Sequence, residues 1–252
     1  MGLSIDAAWL EAVMLAGVRM AAFLVIAPPF STRAIPARVK AMLAVGLALA
    51  VSPRVVPGYQ VGDAAAFFGS LVQEVLVGAL MGFLVFVVFS AVQSAGGLID
   101  LFGGFQLAQA FDPQQMINGA QFARLFQMTA LALMFASGAY QLVIGGLVRS
   151  FTALPIGGAF DLGASVESLV QAVTQMLVAA LQIAGPLIVV LFLADIGLGL
   201  LTRVAPALNA FSLSFPVKIG LTLMLGGLAY AALPAVISAL TGTAVELMAG
   251  VR

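Results

Sequence analysis

The chain has no histidine and no cysteine, and only 8% of its residues are charged. The first two absences exclude zinc sites of the usual kind, HExxH proteolysis, Ser-His hydrolysis and disulfides. The shortage of charge excludes more. A soluble domain carries roughly 25% charged residues, so this chain lacks the polar surface to cover a globule in water. Lys and Arg total 10, Asp and Glu total 10, and the net charge is zero. That balance gives no electrostatic footprint for nucleic acid. The start of the chain lacks the positive charge of a secretory signal: Asp6 and Glu11 precede Arg19, the first basic residue. Asp6 also occupies the place where a myristoylation motif needs Ser or Thr.

What is abundant is apolar. Hydrophobic residues make up 63% of the chain, and the mean hydropathy is +1.17. These values describe an integral membrane protein. Four uncharged runs, 75–99, 125–148, 168–194 and 219–245, each exceed the ~20 helical residues that cross a bilayer core. At ~1.5 Å per residue they reach roughly 36–40 Å, more than a ~30 Å core, so they must tilt, bend or leave the lipid. Two weaker spans precede them, 7–30 with Glu11 and Arg19 inside, and 41–56, interrupted by Pro53 and Arg54. The predicted fold is an all-α membrane protein of about six long helices in three hairpins. Pro186 and Pro234, near the middles of the last two runs, predict kinks at matching heights.

Lys and Arg in the connections set the orientation. Arg33, Arg38, Lys40, Arg124, Arg203 and Lys218 fall on one side, and Arg54, Arg149 and Arg252 on the other. The bias predicts a periplasmic N-terminus. Gly78 and Gly82 form a GxxxG face, which permits close helix contact. Ionisable residues in or near the spans are Glu11, Arg19, Glu74 and Asp195. No set of carboxylates at one depth suggests a proton relay, and structural contacts at span ends are the expected role.

Between the third and fourth runs lies a connection, 100–124, with an unusual load. It carries Phe102, Phe105, Phe111, Phe122 and Met116 among the amides Gln106, Gln109, Gln114, Gln115, Gln121 and Asn118. Breakers stand at Gly103-Gly104, Pro113 and Gly119. Non-helical backbone at membrane depth is tolerated only when buried in protein or lining a cavity. The segment reads either as a re-entrant constriction or as a short interfacial helix packed on its neighbours.

The stretch 195–218 sets Asp195, Arg203, Pro206, Asn209, Phe211, Phe215, Pro216 and Lys218 at a distinctive spacing. Together with RMAAFLVIAPPFS (19–31), IPARVK (35–40) and AFDPQ (110–114), it resembles the FliR family of flagellar type III export-gate proteins, which has injectisome relatives. The resemblance covers nearly the whole chain. It implies a non-enzymatic subunit, without cofactor or metal, present once beside several copies of FliP and FliQ. FlhB and FlhA would be further partners, and unfolded flagellar proteins the cargo. The implied location is the bacterial inner membrane, in the flagellar basal body. Residues 1–165 would correspond to FliP-like hairpins and 166–252 to a FliQ-like kinked hairpin. The resemblance also implies a pore plug at 103–122, carried by Gly103, Gly104, Phe105, Gln106, Phe111, Asp112, Pro113, Gln114 and Met116. Asp195, Arg203, Pro206, Asn209, Phe215, Pro216 and Lys218 are the expected assembly residues, in a basic connection over 202–218.

Two rival classes stay open beside it. A small-molecule secondary transporter usually carries ionisable groups at the midplane and internal repeats; the four long runs are uncharged and show no evident repeat. An intramembrane enzyme would be left with Ser or Asp chemistry, and no GxGD pattern is present.

Overall fold

The computed structural model describes residues 6–105, 121–205 and 210–251. Among these the regular structure is wholly helical: α1 (Ala7–Ile26), α2 (Ala37–Val55), α3 (Ala64–Phe102), α4 (Gln121–Ala136), α5 (Ala139–Ala153), α6 (Leu162–Val204), α7 (Ala210–Ala231) and α8 (Leu233–Ala249). The all-α membrane fold expected from the sequence is present. By length and composition α1, α3, Gly163–Val204 of α6 and Leu213–Ala231 of α7 each suffice to cross a membrane, and α4 with α5 forms a fifth, bent candidate.

Local chemistry sets several helix ends. Asp63 accepts the backbone N–H of Ala66 at 2.8 Å and starts α3. Asp161 accepts those of Gly163 and Ala164, at 2.8 and 3.2 Å, and starts α6. Each carboxylate satisfies donors that a helix N-terminus leaves orphaned, next to the positive end of the dipole. Gly58, at φ 91°, turns the chain after α2. Its conformation is one that side-chain-bearing residues rarely adopt.

Four of these elements differ from the sequence expectation. The run 125–148 is not one straight span: α4 and α5 bend by 73° at Ser137-Gly138, where Gly138 sits at φ 74°. The last run is also broken, between Ala231 and Leu233, just ahead of Pro234, which cannot donate to a preceding carbonyl. Conversely, α3 and α6 outrun their uncharged cores. They have 39 and 43 residues, roughly 58 and 64 Å at ~1.5 Å per residue. Glu74 and Asp195, which looked like span-end residues, therefore lie well inside helices. α6 continues through Pro186 without a break.

The chain divides into two compact units. The first contains residues 1–88, 134–174 and 239–252. Its core is α1, whose Ala12, Leu15, Ala16, Met20, Phe23 and Leu24 are fully buried. Gly17 of α1 lies where an added Cβ would touch Ala48 of α2 at 3.7 Å. The GxxxG face works as its spacing suggests. A Cβ on Gly78 would run into the Arg19 carbonyl, and one on Gly82 would stand 3.0 Å from the Phe23 carbonyl oxygen. Backbone meets backbone there because no side chain intervenes.

The second unit contains residues 89–133 and 175–238. Val92, Ala95 and Ile99 of α3, Phe126 of α4 and Leu187 and Leu191 of α6 are buried in it. Much of α6 and α7 is uncovered: Leu181, Phe192, Leu193, Leu223, Met224 and Leu228 are exposed.

Candidate functional site

The root of the central segment belongs to the second unit. Gly103, Gly104 and Phe105 lie where α3 ends; Gln106, Phe111, Asp112, Pro113, Gln114 and Met116 fall outside the described residues. The Gly103 N–H closes the last helical turn on the Ile99 carbonyl at 2.8 Å. Gly104 then takes φ 82°, a left-handed stop that favours glycine. Both glycines face α7 closely. A Cβ on Gly103 would stand 2.7 Å from Thr222 Oγ1, and one on Gly104 3.6 Å from the Phe215 ring. Thr222 is fully buried and donates its hydroxyl to the Lys218 carbonyl at 2.7 Å.

Aromatic rings continue this contact inward. Phe105 meets Phe122 edge to face at 5.5 Å, Phe122 meets Phe126 at 6.2 Å, and Phe126 meets Tyr230 at 6.4 Å. Phe122 also fills the space beside Gly226, where a Cβ would stand 2.9 Å from its ring. The sequence had not singled out Asp100. It is fully buried, and its carboxylate accepts the N–H of Phe122 at 3.0 Å and of Ala123 at 2.9 Å. An aspartate directly after an uncharged run was the signal available in the sequence.

The expected assembly residues separate. Asp195 and Lys218 come together, Oδ2 to Nζ at 2.7 Å. Arg203 is exposed in the last turn of α6. Phe215 and Pro216 lie within α7, while Pro206 and Asn209 fall outside the described residues. The connection is thus much shorter than the 202–218 expected, since α7 already begins at Ala210. Pro216 removes one helical hydrogen bond without ending α7. Lys218, expected in a loop, sits on α7 with the Asp195 carboxylate as its partner.

The first unit holds a second charged cluster. The Arg19 guanidinium embraces Glu74, with Nε donating to Oε2 and Nη2 to Oε1, the latter at 2.9 Å. Nη1 donates to Ser150 Oγ at 3.1 Å and Nη2 to the Leu154 carbonyl at 3.0 Å. The Phe151 ring lies 4.2 Å from Cζ. Arg19 and Glu74 are fully buried, so a bidentate pair with further acceptors is what desolvation requires. Outside this pair, the Tyr59 hydroxyl donates to Glu11 at 3.1 Å. Burial, then the Glu11 carboxylate, raises the Tyr59 phenol above its ordinary value. Among the described residues no buried polar side-chain atom is unpartnered, and no cluster of three potential metal ligands occurs. The clusters are built to hold helices together.

Residues 10–244 match the family described as bacterial export proteins, family 1. The flagellar biosynthetic protein FliR of Escherichia coli K12 is 34% identical over 222 residues, 86% of this chain and 84% of that protein. FliR of Pectobacterium carotovorum is 30% identical, covering 96% and 93%. The Yop proteins translocation protein T of Yersinia pestis is 31% identical over 68% of this chain and 67% of its own length. The chain belongs to the bacterial export proteins, family 1.

Proposed function

We propose that this chain is a non-enzymatic subunit of a flagellar type III export gate, and that its central segment helps to close the conduit for unfolded cargo. The family match across residues 10–244 carries the assignment to protein export. The root geometry supports the closing role. Gly103 and Gly104 fit closely against α7, and Phe105 joins a line of rings ending at Tyr230. A segment held at its root can present apolar bulk at a constriction, and such bulk blocks ions by dewetting without a charged gate.

The partners we propose are FliP and FliQ, with FlhB and FlhA nearby, in the bacterial inner membrane at the flagellar basal body. Residues 1–165 would act as FliP-like hairpins and 166–252 as a FliQ-like hairpin. The pairing of α6 with α7 through Asp195 and Lys218 is in keeping with the second assignment. The stretch 202–218, through Arg203 and Lys218, is the proposed docking point for a neighbouring component. A virulence injectisome is the second reading, supported by the likeness to the Yop translocation protein. A small-molecule transporter is disfavoured because Arg19 and Glu74 spend their charges on each other.

Deletion of residues 106–115 tests the closing role. Assembled complexes with the deletion should leak ions and small solutes, measured as conductance or solute-induced swelling. Assembled complexes that stay tight would refute the role, and misassembly without leak would indicate an interfacial helix instead.

A further inference from the structure

Asp100 performs for α4 the work of an N-cap, but from another helix. Its partners are 22 and 23 positions away in sequence, and each receives one carboxylate oxygen. Two independent features coincide with it. Gly96, one turn earlier on α3, leaves so little room that a Cβ would stand 2.6 Å from both the N and Cα of Ala123. Beyond it, Phe105 and Phe122 stack edge to face at 5.5 Å. A carboxylate, a missing side chain and a ring pair thus converge on one junction.

The chemistry suits a negative group. The first N–H groups of a helix have no partner within it and carry a positive partial charge. An amide in place of the carboxylate keeps an acceptor oxygen but loses the charge and brings its own donors. Removing the side chain leaves the N–H groups of half-buried Phe122 and buried Ala123 without their acceptor. If α4 instead moved away, Asp100 would become a buried carboxylate without partners, a costly state.

We propose that Asp100 is a positioning residue for closure: by seating the first turn of α4 on the last turns of α3, it fixes where the chain leaves Phe105 and where it re-enters the helix at Gln121. The proposal rests on the closing role given above to the central segment.

The native absence of cysteine makes the test clean. Leu101→Cys and Leu125→Cys, at exposed positions on α3 and α4, are spin-labelled in the full chain co-produced with the other export components. Dipolar distances are then measured with Asp100, Asp100→Asn and Asp100→Ala. The native background should give one narrow distance. Asp100→Ala should broaden and lengthen it, with Asp100→Asn in between. Ion leak in the assembled Ala complex should rise at least tenfold, since even one hydrogen bond to a charged acceptor exceeds the ~1.4 kcal/mol of a tenfold shift. Native distances in both variants would overturn the proposal. So would a failure of Asp100→Asn to assemble, which would make Asp100 a folding residue only. The 106–115 deletion separates the two claims. If it stays tight while Asp100→Ala broadens the distance, the closing role falls and the junction role stands. If it leaks while the Asp100 variants stay tight with native distances, the junction role falls.

Discussion

Arg19 and Lys218 are both basic side chains on apolar helices, and each has a carboxylate partner. Arg19 is 0% exposed, as is Glu74, and a hydroxyl, a carbonyl and a ring complete its surroundings. The Lys218–Asp195 pair is open, with side chains 17% and 42% exposed. The apolar faces differ in the same sense. The apolar stretch of α3 is 61% buried, whereas those of α6 and α7 are 22% and 11% buried. The Arg19 region completes itself from its own chain. The α6–α7 region exposes large apolar side chains that lipid or other subunits must cover, and subunits are the partners expected in an export complex.

Mutation of the two basic residues should break this comparison most sharply. Arg19→Ala leaves Glu74 as a buried, uncompensated charge and should cost about 3–5 kcal/mol. The expected result is loss of folded protein in detergent thermal-stability assays, whether or not partners are present. Arg19→Lys should rescue only part, because an ammonium cannot reproduce the bidentate fork. A well-folded Arg19→Ala protein would remove the distinction between the two regions.

Glycines give the next contrast. Gly78→Ala forces a Cβ into the Arg19 backbone and should destabilise by about 1–3 kcal/mol as overpacking. Gly227 of α7 has open space where its Cβ would be. Gly227→Ala should be neutral or stabilising by up to about 1 kcal/mol in the lone chain. Any defect it causes should therefore appear in co-purification with partners and in secretion. Equal effects of both substitutions on the lone chain would contradict this ordering.

The open ion pair should matter less to folding. Lys218→Ala is expected to cost about 1 kcal/mol or less, the range of exposed pairs. Lowered secretion should follow, recovered by exchanging the charges as Lys218→Asp with Asp195→Lys. Failure of that exchange to recover secretion would show that Lys218 also serves an outside partner. The smallest effect concerns Tyr59. Its phenol is held above the ordinary value by burial and Glu11, so folding favours the protonated form. That contribution is complete below the unfolded value of about 10 and declines as pH rises through the folded value. Tyr59→Phe should flatten this alkaline loss in a stability-versus-pH series.

Much of the fold could be read in the sequence. Uncharged runs located the cores of α3 and α6, and Gly78 with Gly82 marked a face of α3 open to close helix contact, without naming α1 as the helix that fills it. Resemblance located the family. What was missed depended on neighbours in space. Arg19 and Glu74 are 55 positions apart, and neither residue names its partner without knowledge that α1 lies on α3. Gly138 looked like one more glycine in an apolar run, because the sequence does not reveal a left-handed φ. Asp100 was read as the first loop residue, when it is a helical residue that caps another helix. Asp195 and Lys218 stood in one spaced pattern but not as a pair, and the continuation of α6 and α7 into the expected loop brings them together.

The central claim, that the exposed faces of α6 and α7 are completed by other export subunits, is tested most directly by single-cysteine nitroxides at Met224 and Leu228. Their accessibility to oxygen and to a polar relaxation agent is measured in bilayers, with the chain alone and in the co-produced complex. Completion by protein predicts that both sites become immobile and lose access to oxygen only in the complex. Unchanged, lipid-like accessibility in a verified complex would contradict the claim.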